Sequence, residues 1–206
     1  MCFRPRRPER QPSRGARSLA SMTANATPRD ADQVSREGDE HRPATVESFR
    51  RAVGRFATGV CVVTAVDAGL DHAMTANAFT SVSLDPLLVL VCVETEARFH
   101  DAITSAGEWA VSILDATARP AAAWLATRGR PLHGQLDRVP FHRGPVTGAA
   151  LLDQSVAWLE CRTQALHPGG DHSIVVGEVV GVGLGDESPG SLLYHRSGYR
   201  VLGARP

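Results

Sequence analysis

The chain has 206 residues, a length that suits a single domain with a substantial core. Its 22 basic and 22 acidic residues balance, so the overall charge does not favour binding to nucleic acid or to an anionic membrane. Every basic residue is arginine, which excludes a Schiff-base lysine and the lysine of a Walker A phosphate-binding loop. No run of 18 apolar residues occurs, so we expect no membrane span.

The first 43 residues differ in composition from the remainder of the chain. They hold nine arginines, six acidic residues, five prolines and one aromatic residue, Phe3. Such a segment buries too little apolar surface to offset the entropy that is lost on ordering. We therefore predict a disordered N-terminal tail at residues 1–43 and one folded domain at residues 44–206. Met1 and Met22 are both candidate start residues.

The domain begins with a predicted amphipathic helix. Between Thr45, a suitable cap, and Gly59, a suitable end, four apolar residues recur at helical spacing: Val46, Phe49, Val53 and Phe56. The β-branched run at 60–66 then predicts a strand, and residues 67–72 predict a turn.

The later elements are mostly strands. We predict strands at 87–93, 109–114, 155–166, 173–182 and 199–203, and short helices at 98–107 and 117–129. Residues 128–148 are rich in glycine and proline and predict a loop, and His167–Gly170 predicts a hairpin turn. Six or more strands with few helices favour an antiparallel barrel or sandwich.

Several familiar kinds of site are excluded. The run GVGLGD at 181–186 has the glycine spacing of a dinucleotide-binding loop, but the loop residues 187–190 follow it where that motif requires a helix. The histidines show no metal-ligand spacing, so we expect no metal. The cysteines lie far apart without a C-x-x-C pair, which favours reduced structural thiols in a cytoplasmic protein: Cys2, Cys61, Cys92 and Cys161.

Four segments remain that can carry chemistry, each with a simpler structural alternative. The small and hydroxylated residues of 72–83 suit the wall of a flat heteroaromatic site, or a polar hairpin. Arg98 opens a short helix and can hold an anion there, or forms an ordinary charged first turn. Asp171 and His172 either face a ligand or complete a turn. The segment 192–200 is either a polar hairpin edge or a ligand mouth.

Taken in order, these segments resemble the flavin reductase-like family, the small reductase components of two-component flavin-dependent monooxygenases. The resemblance covers residues 49–202 and is carried by FRRAVGRFATGVCVVTAV, MTANAFTSVSLDPLLVLVCV, WLECR, GGDHSIVVGEV and LLYHRSGYR. It implies a mainly β fold, the FMN-binding split barrel, which is an antiparallel six-stranded Greek-key-like barrel with a few short helices. It also implies a cytoplasmic homodimer that reduces free FMN or FAD with NADH, in preference to NADPH, and supplies the reduced flavin to a partner monooxygenase.

The resemblance also assigns site residues. Those implied for flavin binding are Thr75, Ala76, Asn77, Ala78, Phe79, Ser81, Val82, Ser83, Glu96, Ala97, Arg98, Ala102, Ile103, Arg128 and Gly129. Those implied for NAD(P)H binding are Asp171, His172, Tyr194, His195, Arg196 and Ser197. His172 is the implied catalytic residue, since an imidazole can hydrogen-bond the nicotinamide amide and supply a proton.

The chain departs from the family pattern at a few positions of this site. Ala78 replaces a frequent serine, Glu96 and Ala97 stand where serine or lysine is common, and His72 precedes Met74 where a small residue is usual. The choice between FMN and FAD therefore stays open. Two alternatives also stay open: a split-barrel flavoprotein with tightly bound flavin that acts on another small molecule, and a non-catalytic flavin- or haem-binding module.

Overall fold

A computed structural model describes residues 43–186 and 190–202. Its helices are Val46–Val53 (α1), Arg98–Ala106 (α2) and Arg119–Ala126 (α3), with a 3₁₀ turn at Ala116–Ala118. Its strands are Thr58–Gly59 (β1), Cys61–Asp67 (β2), Leu70–Ala76 (β3), Phe79–Leu84 (β4), Leu87–Glu94 (β5), Glu108–Leu114 (β6), Phe141–Arg143 (β7), Ala150–Leu152 (β8), Ser155–Gly169 (β9), His172–Leu184 (β10), Leu192–His195 (β11) and Gly198–Val201 (β12). The predicted tail lies outside the described residues apart from Pro43, so its disorder and the domain boundary stay predictions.

One antiparallel sheet of seven strands dominates the domain, in the order β3-β2-β6-β9-β10-β5-β4. Its two edge strands, β3 and β4, are consecutive in the chain and separated only by Asn77 and Ala78. The sheet therefore has to curve back on itself, as in a barrel. This arrangement confirms the mainly β prediction, although the sheet has seven strands and not the six expected for the barrel.

The core lies mainly in two clusters on opposite faces of this sheet, because alternate residues of β2 belong to different clusters. One surrounds Trp109, which is fully buried with Val91 and Val175 and lies beneath α2. The other packs the buried face of α3, including Leu125, against β2 and β8. Three strands outside the main sheet, β1, β11 and β12, form a separate small sheet.

Local structure differs from the sequence predictions at a few elements. Helix α1 ends at Gly54 and not at Gly59, and none of its residues is buried. Residues 70–72 belong to β3 and not to a turn, because they pair with the buried strand β2 around a tight turn at Ala68 and Gly69. The predicted loop at 128–148 contains β7. A hairpin joins β9 and β10 as predicted, but its turn lies at Gly170 and Asp171 and not at His167–Gly170, because residues 167–169 pair with β10.

The glycine-spaced run at 181–186 and the described cysteines agree with the sequence predictions. Residues Gly181–Leu184 of the glycine-spaced run are part of β10, so they form no phosphate-binding loop. Cys61, Cys92 and Cys161 are free, and burial raises the pKa of the Cys61 thiol to about 12, which keeps it protonated. Of the helices that the structure describes, none is both long and apolar enough to cross a membrane.

Candidate active site

A cavity of about 550 Å³ opens beside β3 and the end of β5. The first turn of α2, the last turn of α3 and the segment that follows α3 complete its walls. It is lined by His72, Ala73, Met74, Thr75, Ala76, Asn77, Ala78, Cys92, Glu94, Glu96, Ala97, Arg98, Phe99, Leu125, Ala126, Thr127, Arg128, Gly129, Arg130, Leu132, Gln135 and His172. Its volume is within the range of about 300–1,000 Å³ that is typical of small-molecule sites.

Small residues of β3 and the following turn form one wall. Ala73 and Ala76 are buried, and Ala78 continues the run, so backbone atoms approach the cavity closely. The hydroxyl of Thr75 donates a hydrogen bond to the carbonyl oxygen of Ala122 at 2.8 Å, which fixes β3 against α3. Three of the seven lining residues from His72 to Ala78 are thus alanines, whose side chains take up little of the cavity.

Three arginines surround the opposite, polar part of the cavity. Arg98 donates to the carbonyl oxygen of Arg130 at 2.5 Å, and Arg130 donates to the carbonyl oxygen of Ala73 and to the side chain of Gln135. Burial, and then the positive charge of Arg98, lower the pKa of Arg130. The buried Nε atom of Arg130 has no hydrogen-bond partner among the described residues. An anion placed between the guanidinium groups of Arg98 and Arg130 would accept a hydrogen bond from this Nε atom and reduce the repulsion between the two positive charges.

The third arginine, Arg128, is paired with a carboxylate of the cavity rim. One Nη atom of Arg128 donates to both oxygens of Glu94, at 2.8 and 2.6 Å. The hydrogen bond and the charge of Glu94 together raise the pKa of Arg128. Glu94 is the last residue of β5, whereas Arg128 follows α3, so the pair joins two walls of the cavity.

His172 lies directly across the β5–β10 ladder from Glu94. Its Nδ1 atom is 2.7 Å from a carboxylate oxygen of Asp171. That hydrogen bond lowers the pKa of Asp171, which keeps the carboxylate ionised and orients the ring. With Nδ1 engaged by Asp171, Nε2 is the nitrogen left to serve a ligand.

A second histidine, His72, lines the cavity from β3. Burial is the largest cause of its lowered pKa and the positive charge of Arg98 adds to it, while Asp67 and Asp71 act in the opposite direction. A neutral imidazole at His72 is therefore favoured at neutral pH.

The chain matches the family of flavin reductase like domains over residues 53–203. It belongs to that family. The NADH-dependent FAD reductase of Streptomyces globisporus is 46% identical to it over 133 residues, which are 64% of this chain and 72% of that protein. The reductase component of 4-hydroxyphenylacetate 3-monooxygenase of Thermus thermophilus is 42% identical over 156 residues, which are 76% of this chain and 96% of that protein.

Solved structures of this family agree with the fold. The crystal structure of BorF, the flavin reductase component of a bacterial two-component tryptophan halogenase, superimposes with a TM-score of 0.72 at 44% sequence identity. The match covers 77% of this chain and 99% of BorF. These findings confirm the predicted family and its split-barrel fold.

The flavin reductase-like site brings together many of the residues assigned by resemblance. From separate segments of the chain, the cavity collects Thr75, Ala76, Asn77, Ala78, Glu96, Ala97, Arg98, Arg128, Gly129 and His172. It also contains residues that the sequence analysis did not propose, above all Glu94, Arg130 and Gln135. Glu94 ends an apolar strand and the other two lie in a loop, so no local pattern marks them.

The remaining assigned residues lie elsewhere. On β4, Phe79 packs against the core and Ser81, Val82 and Ser83 follow along the strand, away from the cavity lining. Ala102 and Ile103 are buried on the inner face of α2, at 1% and 0% exposure.

Asp171 and the β11–β12 hairpin also lie outside the lining. Asp171 is exposed, next to the lining residue His172. Tyr194 and His195 end β11, and Arg196 and Ser197 form its tight turn with φ angles of 48° and 59°. A groove of about 350 Å³ beside this turn is lined mainly by arginines: Arg50, Arg51, Arg55 and Arg196.

In the described part of the chain, no group of three or more histidine, cysteine, aspartate or glutamate residues is placed to hold a metal ion.

Proposed function

We propose that this chain is an NADH-dependent flavin reductase that reduces free FMN or FAD and supplies the reduced flavin to a partner monooxygenase. The protein is an oxidoreductase of the flavin reductase-like family, whose relatives include NADH-dependent FAD and FMN reductases and a monooxygenase reductase component. One observation carries the proposal: a single cavity joins a wall with small residues, a cluster of arginines and an oriented histidine.

The residues of the cavity fit a flavin. The wall from Ala73 to Ala78 includes three alanines, whose small side chains leave room for a flat ring system beside β3. The unpartnered Nε atom of Arg130 and the nearby charge of Arg98 suit a phosphate. When both are bound, the reduced nicotinamide and the flavin supply the hydride chemistry themselves, so the protein needs no nucleophile.

The protein residues then bind, orient and handle a proton. We assign Thr75 and Asn77 to the flavin ring, and Arg98, Arg128 and Arg130 to its phosphate. In its protonated form, His172 holds the nicotinamide through Nε2–H and donates that proton as the reaction proceeds, while the Asp171 carboxylate accepts from Nδ1–H and stabilises the charged ring. The rigid β5–β10 ladder holds His172 in place, which favours the close stacking that hydride transfer requires.

We also propose that the protein is a homodimer. The apolar residues of α1 are strongly exposed, with Phe49 at 64% and Phe56, just beyond the helix, at 73%. Exposed apolar patches of this kind commonly mark protein interfaces, and a second copy of the chain is the occupant we propose. Tyr194–Ser197 do not line the cavity of their own chain, so we propose that they bind NADH at the cavity of the second subunit. Free thiols at Cys61 and Cys161 fit the cytoplasmic location that we propose.

The decisive experiment compares NADH oxidation by the purified protein without flavin and with added FMN, FAD or riboflavin. We expect oxidation only when flavin is added, and faster oxidation with NADH than with NADPH. A permanently yellow protein whose activity ignores added flavin would favour the alternative of a tightly bound cofactor. Flavin binding without any NADH oxidation would favour a binding module.

A further inference from the structure

The ion pair between Glu94 and Arg128 lies at the rim of the cavity. The Arg128 side chain is 81% exposed and that of Glu94 is 28% exposed, so the pair is accessible to solvent. Both oxygens of Glu94 accept from the same Nη atom of Arg128, at 2.8 and 2.6 Å. Arg128 is therefore engaged by a carboxylate at the place where the proposed function requires it to serve a phosphate.

A phosphate that binds Arg128 has to replace Glu94 as its partner. The phosphate also meets the negative charge of Glu94, and that of Glu96, which lines the same cavity. Both effects oppose binding of a phosphorylated flavin, whereas neither acts on riboflavin, which has no phosphate. Exposed ion pairs contribute little net stability and are screened by salt, so the exchange of partners is readily reversible.

We infer that Glu94 competes with the flavin phosphate for Arg128 and thereby keeps the flavin an exchangeable substrate and not a permanently bound group. This inference rests on the proposed function and deepens it. Glu94 then acts as a specificity-determining residue that weakens the binding of FMN and leaves the binding of riboflavin unchanged. Fast release of product is what a reductase needs when it hands reduced flavin to another enzyme.

A different role for Glu94 also has to be tested, because His172 is its direct cross-strand neighbour. If Glu94 acted on His172, its loss would change the KM for NADH. If it acts on Arg128, its loss changes the affinity for phosphorylated flavin alone.

The experiment measures the dissociation constants of FMN and riboflavin by flavin fluorescence in the full-length protein. The variants are Glu94→Gln, Arg128→Ala and the double variant. We expect Glu94→Gln to bind FMN about fivefold more tightly, the scale of one exposed charge pair, and riboflavin with unchanged affinity. In the Arg128→Ala background the same substitution should tighten FMN binding clearly less, because only the direct repulsion between Glu94 and the phosphate remains to be relieved. With FMN as substrate, we also expect a lower kcat for Glu94→Gln if product release limits turnover.

The matched control is Glu108→Gln. Glu108 forms an ion pair of similar exposure with Arg162 on the neighbouring strand β9, and neither residue lines the cavity. We expect this variant to bind both flavins as the wild type does. Added salt should reduce the difference between wild type and Glu94→Gln for FMN.

The possible outcomes separate this inference from the proposed function. Four results for Glu94→Gln would overturn the inference and leave the proposed function standing. Two of them concern flavin alone: equally tighter binding of FMN and riboflavin, or unchanged affinity for FMN. The other two are a changed KM for NADH with unchanged flavin affinity, and a gain in FMN affinity that persists in full without Arg128. If the wild-type protein binds neither flavin, the proposed function and the inference fail together.

Discussion

Glu94 and Glu160 have the same side chain and opposite surroundings. Glu160 is 4% exposed, and one of its oxygens accepts from the backbone amides of Val146 and Thr147, at 3.0 and 2.7 Å, and from the Thr147 hydroxyl at 2.8 Å. Glu94 is partly exposed, and its partner is the long side chain of Arg128. The comparison shows that a carboxylate held by fixed backbone donors anchors a loop, whereas one held by an exposed guanidinium can exchange its partner.

Two glycines make room for the buried side chain of Glu160. A Cβ atom at Gly144 would lie 2.4 Å from Oε2 of Glu160, and one at Gly181 would lie 3.0 Å from Oε1. The carboxylate therefore fills space that only glycine leaves open, between the segment before β8 and strand β10. At the cavity rim, by contrast, the charged groups face solvent. We accordingly expect changes at Glu160 to affect stability, and changes around the cavity to affect binding and catalysis.

The largest effect is expected for Glu160→Ala. Removing the buried carboxylate takes away the shared acceptor of the Val146 and Thr147 amides and of the Thr147 hydroxyl, which should lower the free energy of unfolding by about 2–4 kcal/mol. Urea denaturation measures this change. The folded variant should still bind FMN normally. A loss of FMN affinity at unchanged stability would show that Glu160 serves binding and not stability.

Arg98→Ala tests the cavity side of the comparison. Loss of one charge-assisted hydrogen bond to the phosphate should weaken FMN binding by about 1.5–3 kcal/mol and leave riboflavin binding almost unchanged. Arg138, which is exposed and does not line the cavity, provides the control variant Arg138→Ala. Equal losses for FMN and riboflavin would show that Arg98 does not serve the phosphate.

His172→Ala should raise the KM for NADH and preserve flavin affinity. Loss of one neutral hydrogen bond corresponds to about 0.5–1.5 kcal/mol, a factor of roughly 2–13 in kcat/KM. If His172 also donates a proton, kcat should fall by about 100-fold or more. Asp171→Asn should give a smaller loss, because the ring is retained and only its orientation is weakened. Unchanged kinetics with a lowered Tm would assign His172 to the turn alone.

The smallest effect is expected for His72 and depends on pH. Because burial lowers the pKa of His72 in the folded protein below its usual 6.5, the unfolded chain takes up a proton first as pH falls. The contribution of His72 to stability is therefore complete above pH 6.5 and is lost as pH falls from there towards the lowered value. His72→Gln removes this loss, so its Tm should decline less than that of the wild type between about pH 7 and 5. If the Tm values of the variant and the wild type declined in parallel, this role of His72 would be contradicted.

Elements defined by contacts between sequence neighbours were predictable. The helix Arg98–Ala106 ends at Gly107 with a φ of 67°, as its glycine stop predicts, and the apolar run at 87–93 is part of β5. Residues 70–72 were wrongly predicted as a turn, because pairing with β2 overrides their polar composition. Helix α1 is shorter than predicted because its backbone ends at Gly54, although the apolar spacing continues to Phe56.

The residues of the cavity were likewise predictable only in part. The types of residue at 75–78, Arg98 and His172 indicate a flavin and nucleotide site through their resemblance to a family, and these residues indeed line one cavity. That Glu94 faces His172 depends on the register of β5 against β10, and that it holds Arg128 depends on where the segment after α3 lies. Periodicity reflects contacts a few residues apart, so the chain itself specifies helices, strands and turns. Hydrogen bonds between residues 34 or 78 positions apart form only when the sheet closes, so only the tertiary structure determines which charged residues meet at the cavity.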